Sequence, residues 1–116
     1  MASILDVARS GLAVSALRLS TSAHNVANAL TPGFAPGRVE AEERPEGGVA
    51  GRVVKENDPA VEARLDAAAL GFGAASGTDL ATELVRQMAA SAAYRASLAS
   101  LRAADDLATS LLGIRG

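Results

Sequence analysis

His24-Asn25-Val26-Ala27-Asn28-Ala29-Leu30-Thr31-Pro32-Gly33-Phe34 divides this chain into a patterned part and an unpatterned one. Before it, large and small apolar residues alternate with helical spacing. After it the pattern stops. Pro32 lacks a backbone N–H and pushes Thr31 out of the α region, so a helix arriving from the N-terminus is expected to end here. Thr31-Pro32-Gly33-Phe34 suits a type II turn, with Pro at the second position and Gly supplying positive φ at the third. Asn25 and Asn28 stand three apart on the last helical turns, where their amides can bond backbone groups left open at the helix end.

Upstream, Ser3 and Asp6 form an S-x-x-D capping box. Leu5, Ala8, Leu12, Ser15, Leu19, Ser22, Val26 and Ala29 then follow a 3–4 alternation, a heptad seam in which Leu takes turns with small residues. The spacing predicts a helix over 3–30. Gly11 inside it costs about 1 kcal/mol relative to Ala, which close packing against a partner helix would offset.

Downstream, Arg38–Glu43 and Gly51–Glu56 read as strands around the turn residues Pro45-Glu46-Gly47-Gly48, a hairpin whose mixed charges suit a solvated arm. Asp58 and Pro59 can start a short helix over about 59–70, with Val61, Leu65 and Ala68 or Ala69 as its stripe. Gly71–Gly77 is a joint. It follows no βαβ strand and lacks the Lys-Ser/Thr of a phosphate loop. The second long helix is expected from Thr78 or Asp79, with Asp79 and Glu83 near the positive end of its dipole. Leu80, Leu84, Met88, Ser91, Leu98, Leu101, Ala108 and Leu112 trace its seam, with Ala92, Ala104 and Leu111 widening the stripe. Glu83, Arg86, Gln87, Arg95 and Arg102 form its polar side, and Gly113 is placed to close it with a left-handed residue.

Composition narrows the function. Hydrophobic residues make up 49% of the 116, but aromatics only 3%. Ala-rich, Leu-spaced sequence favours closely packed helices over a bulky core. A net charge of −2 gives no field for nucleic acid. The absence of Cys removes thiol catalysis and thiolate metal sites. His24 is the only histidine, so neither a His-rich metal site nor a Ser-His-acid triad with a spare His is offered. Asp105 and Asp106 point about 100° apart on a helix and do not converge on one atom. Tyr94 reads as a packing residue with its hydroxyl at the rim. No enzyme activity, cofactor, metal or small-molecule substrate is expected. Asp6, Arg9 and Arg18 interrupt the early apolar run, so neither a membrane span nor a cleaved secretory signal is expected.

The dividing stretch resembles the N-terminal signature of bacterial flagellar rod, hook and hook-associated proteins, a helix ending in a phrase like A-N-x-x-N-x-x-T-P-G-F. Asn25, Ala27, Asn28, Thr31, Pro32, Gly33 and Phe34 fit it in order. The chain is also similar to the C-terminal signature of the same proteins, roughly V-D-L-x-x-E-L-V-x-M followed by Y-x-A-N and paired Leu. Thr78–Val85 with Asp79 and Glu83, then Met88, Tyr94, Ala96, Asp105–Leu107 and Leu111-Leu112 carry that likeness. Ser97 stands where the family has Asn, and Ala35 where a basic residue is common.

The order of the elements predicts a mainly α fold of three parts. A terminal helix with its turn (1–34) and a second terminal helix (78–116) pack as an antiparallel coiled-coil-like pair. A short middle region with a β-hairpin (35–77) joins them, the hairpin lying at the far end. The resemblance implies a proximal-rod-sized structural subunit, exported by the flagellar type III apparatus without a cleaved signal. Such a subunit assembles with itself and other rod and hook axial proteins into the torque-transmitting rod of the basal body. Leu5, Leu12, Leu19, Val26, Leu80, Leu84, Met88, Leu98, Leu101 and Leu112 are the expected packing residues. A helical-hairpin adaptor or export chaperone, binding one partner helix in a single groove, is the alternative.

Overall fold

A computed structural model describes residues 2–56, 59–71 and 76–114. The elements run α1 (Ile4–Ala27), β1 (Gly37–Glu43), β2 (Val49–Lys55), α2 (Pro59–Ala69) and α3 (Leu80–Ile114). The fold is mainly helical, with α3 packed antiparallel on α1 and a two-stranded antiparallel hairpin between them in the chain.

α1 starts at the expected capping box. The Ser3 hydroxyl accepts from the Asp6 amide at 3.2 Å, and the Asp6 carboxylate accepts from the Ser3 amide at 3.2 Å. The Ser3 hydroxyl, which also donates to this carboxylate, is the main reason its pKa lies below the usual value. The helix ends at Ala27, three residues before the position the pattern predicts. The Asn28 side chain donates to the His24 carbonyl at 2.9 Å, satisfying an open acceptor of the last turn. The chain then tightens into three-residue turns, Ala29 N–H to Val26 and Thr31 N–H to Asn28. Phe34 N–H donates to the Thr31 carbonyl at 3.2 Å with Gly33 at φ +72°, as the type II turn requires.

The two long helices meet through small residues. Ala8, Ser15 and Ser22 recur every seven residues on α1 and are buried, and Ala90 is buried on α3. The Ser22 hydroxyl donates to the Glu83 carbonyl at 3.1 Å, and a Cβ placed on Gly11 would stand 2.9 Å from Ser97 Oγ. Gly11 is therefore a point of close helix approach, as the cost of a glycine inside a helix suggests. Pairing Ser22 with Glu83 and Gly11 with Ser97 fixes the antiparallel register. By that register α1 starts beside the part of α3 near residues 101–104, and residues 105–114 extend past it, all of them exposed.

On α3 the structure corrects the expected seam. The row that faces α1 is Glu83, Ala90, Ser97 and Ala104, all buried or half-buried, displaced from the leucine row. Leu80, Leu84 and Met88 are 57–66% exposed. Tight helix approach selects the small-residue face, because leucines on the seam would hold the backbones apart. Gly113 does not take a left-handed conformation, and α3 runs on through it to Ile114.

The hairpin is also displaced from its expected place. It folds back along α1 instead of standing at the far end. Its tip reaches the start of α1, where Ala2 N–H donates to the Glu46 carbonyl at 2.8 Å and Ser10 Oγ accepts from Val49 N–H at 3.0 Å. Gly37 pairs with Lys55 and Glu43 with Val49 at the two ends of the ladder. Gly51 lies against Val14 and Leu17, so the odd-numbered strand residues face the helix. The even-numbered Arg38, Glu40, Glu42 and Arg52 form ion pairs on the outer face. A lone hairpin is marginal in water, and burying Val14 beneath it supplies the missing support. α2 begins with Pro59 at its first position, and Gly71 at φ +81° follows its end. Asp58 and residues 72–75 lie outside the described residues. The result is elongated, 72 × 25 × 15 Å, with a radius of gyration of 19.1 Å. A compact domain of this length would have about 13 Å.

Gly33→Val forces a β-branched residue into positive φ and is expected to cost roughly 1–3 kcal/mol. Thermal melting of the purified variant checks this, and an unchanged midpoint would contradict the turn assignment.

Candidate functional site

The described residues with the strongest claim to a specific role are polar and buried at one junction, where α1 ends, β1 begins and α3 starts. Asn25 is fully buried there. Its carboxamide nitrogen donates to the Gly37 carbonyl at 2.7 Å and to Glu83 Oε1 at 3.0 Å, while its oxygen accepts from Gly37 N–H at 2.9 Å. The Asn25 backbone carbonyl accepts from the Thr78 hydroxyl at 3.2 Å. One side chain thus ties three segments together. The expectation that Asn25 would cap α1 is corrected: Asn28 does so, and Asn25 points inward.

Glu83 is the second correction. It sits in the first turn of α3, as its dipole role requires, but on the packed face, with only 2% of its side chain exposed. Its Oε1 accepts from Asn25 and from Arg86 Nη1 at 3.1 Å, and its buried Oε2 has no partner among the described residues. Arg86 also donates to both oxygens of Glu56, just past the end of β2. The Glu56 carboxylate raises the pKa of Arg86 against the opposing effect of partial burial. A buried carboxylate is tolerated only when charged and hydrogen-bonding groups surround it. Asn25 and Arg86 supply them.

The segment before α3 is held by the turn that ends α1. Gly77 N–H donates to the Phe34 carbonyl at 2.9 Å, and the buried Ser76 hydroxyl accepts from Thr78 N–H at 3.1 Å. A Cβ on Gly77 would stand 2.8 Å from Val61 and 3.2 Å from Pro36, so glycine allows α2 to close on this point. Asp79 caps α3 by accepting from Ala81 N–H at 3.0 Å and Thr82 N–H at 3.3 Å, and pairs with Arg64 at 2.8 Å. The Thr82 amide, then Arg64, hold its pKa below the usual value.

Of the residues singled out from sequence, the junction gathers Asn25, Asp79 and Glu83, with the Phe34 carbonyl. Asn28 and Thr31 bond each other beside it at 3.0 Å, while Pro32 and Gly33 are exposed. Phe34 stands edge-on to His24 at 5.5 Å. Leu5, Leu12, Leu19, Leu98 and Leu101 are half-buried along the helix pair. Val26, Leu80, Leu84, Met88, Tyr94 and Leu112 are 37–73% exposed. Gly37, Glu56, Ser76 and Arg86 complete the junction and were not predicted for it. Of these only Arg86 has a signal in the sequence, its place three residues after Glu83 on the same helix, where the two side chains can meet. Among the described residues no group of three or more His, Asp or Glu could hold a metal, and no helix is long and apolar enough to cross a membrane.

Fold and junction define an elongated helical structural module, its ends left apolar and its buried polar groups spent on joining segments. Residues 70–114 match the family model described as flagellar basal body rod FlgEFG protein C-terminal, a similarity carried by that segment of the chain. That family is a structural component of the basal body, and the match supports a structural role there. A comparison with curated proteins gives no match.

Asn25→Ala leaves Gly37 and Glu83 without their shared partner and is expected to cost about 2–4 kcal/mol. Asn25→Asp, near-isosteric, sets a second carboxylate against Glu83 and should cost at least as much at neutral pH. Urea denaturation of the variants checks both, and a change below about 0.5 kcal/mol, the range of ordinary surface substitutions, would contradict the junction.

Proposed function

We propose that this chain is a subunit of the flagellar basal-body rod that self-assembles through its terminal helices. With other rod and hook axial proteins it would form a helical tube that transmits torque, after delivery by the flagellar type III export apparatus. The observation that carries the reading is the open end of α3, within the segment matched to the rod family. Leu107, Leu111, Leu112 and Ile114 are 58–78% exposed beyond the start of α1. Leu80, Leu84, Val85 and Met88 are similarly open at the other end of the same helix. Apolar surface at both ends of a helix, on more than one face, favours several neighbours over a single groove. Contacts that repeat head to tail without closing generate a filament by symmetry alone. The packing residues proposed for those contacts are Val26, Leu80, Leu84, Met88 and Leu112, with Leu5, Leu12, Leu19, Leu98 and Leu101 holding the pair itself.

Ala89, Ala96 and Ala103 form a separate exposed stripe at seven-residue spacing. Ala96→Gln should leave the circular dichroism of the monomer unchanged, because exposed substitutions usually stay within about 0.5 kcal/mol. In an assembly the longer side chain overfills a close contact, costing on the order of 1–3 kcal/mol per copy. Sedimentation and electron microscopy should show assembly lost. Normal polymers would count against a contact on that stripe and favour the adaptor.

A further inference from the structure

The hairpin carries an unfinished edge. Glu56 N–H donates to the Pro36 carbonyl and Arg44 N–H to the Gly48 carbonyl, both at 3.0 Å. These bonds mark the even-numbered residues as those that exchange ladder bonds. The alternation of an antiparallel pair then turns the N–H and C=O of the odd-numbered residues outward. Gly37 bears this out, since its outward N–H and C=O are both taken by the Asn25 carboxamide. Asn25 therefore occupies the first rung of a third strand beside β1. Beyond that rung, Val39, Ala41 and Glu43 on β1 have no hydrogen-bond partner for their outward groups among the described residues, nor have Gly51, Val53 and Lys55 on β2.

Beyond Gly37 no third strand lies beside β1 among the described residues. The hairpin rests on α1 alone, and its Cα atoms stay more than 8 Å from those of α3. A cavity of about 350 Å³ lies between β1 and α3, with Gly37 and Val39 on one wall and Ala89 and Ala90 on the other.

The charges select its occupant. β1 carries Glu40, Glu42 and Glu43 against Arg38, and β2 carries Arg52 and Lys55 with no acid. Two β1 edges would repel, and so would two β2 edges, while a β1 edge beside a β2 edge is complementary. Gly51 of β2 stays against Val14 and Leu17 of its own α1, while Val53, 52% exposed, is the inward residue of β2 still open to a neighbour. We infer that copies of this chain join head to tail by strand addition, the β2 edge of one copy completing the sheet beside β1 of the next. This rests on the assembly reading above and names one of its contacts. Because the two edges differ, the contact is heterologous and continues the sheet from copy to copy, which gives a filament where the rotation does not close.

Proline separates this contact from the hairpin itself. At position 41 or 53 it removes an outward N–H and spares the ladder, a placement edge strands tolerate. At position 40 it removes a ladder N–H and should disrupt the hairpin. Ala41→Pro and Val53→Pro should each fold as the parent does and raise the concentration of half-assembly at least tenfold in sedimentation. Mixed, they should form a capped pair and nothing longer, since each keeps the edge the other lacks. In the unmutated chain, assembly should slow hydrogen exchange at Val39, Ala41, Gly51 and Val53 at least tenfold, a measurement that needs no variant to fold. Assembly that proceeds with these amides still exchanging freely, or indifferent to either proline, overturns the strand pairing and leaves the rod reading standing. A chain that stays monomeric at every concentration overturns both.

Discussion

The buried carboxamide of Asn25 is the contact on which the rest of this fold depends. An amide side chain presents donor and acceptor in the geometry of a peptide group, and Asn25 uses it to pair with Gly37 as a neighbouring strand would. Its second N–H goes to Glu83. The end of α1, the start of the hairpin and the first turn of α3 are thereby fixed to one point. Each bond is worth only about 1 kcal/mol net, but leaving such groups buried and unpaired costs more, so the arrangement penalises every alternative packing. The position of the junction decides the direction of everything after it. From Gly37 the hairpin runs back along α1, and from Glu83 α3 runs antiparallel beside it.

Away from the junction the helices approach through Ala and Ser, and the core is thin. Val14, Val61, Ala8 and Ala90 are the buried apolar residues among those described, and the largest fully buried side chains include Glu83 and Asn25. Small side chains bury little apolar area, at about 25 cal/mol per Å². Stability in such a body concentrates where polar groups are satisfied and thins towards the helix ends. That distribution suits a subunit whose ends are completed by neighbours. The cost is a marginal isolated chain, since helix ends without tertiary partners fray.

Much of this was legible in the sequence, and what was not has identifiable causes. The capping box, the turn at Pro32-Gly33, the hairpin strands, the short helix from Pro59 and the Asp79 cap all follow from local chemistry, which a few adjacent residues encode. Hydrophobicity alone points to Leu80, Leu84 and Met88 as the seam of α3, whereas close backbone approach selects the smallest face, Glu83, Ala90, Ser97 and Ala104. Glu83 was assigned to the polar side because a carboxylate is expensive to bury. Only Asn25 and Arg86, distant in sequence or on the adjacent turn, make its burial tolerable. The hairpin was expected at the far end because nothing local reveals that Ser10 and Ala2 receive its tip. These are tertiary facts, and the periodicity of one helix does not contain them.

Native-state hydrogen exchange on the dilute chain tests the central claim, that the junction holds the molecule while the helix ends await partners. The account predicts slowest exchange at Gly37 and around Ser22–Asn25 and Glu83–Ala90, with rapid exchange across residues 105–114 that slows only on assembly. Uniform slow exchange from Leu80 to Ile114 in the dilute monomer, or fast exchange at Gly37, would contradict it.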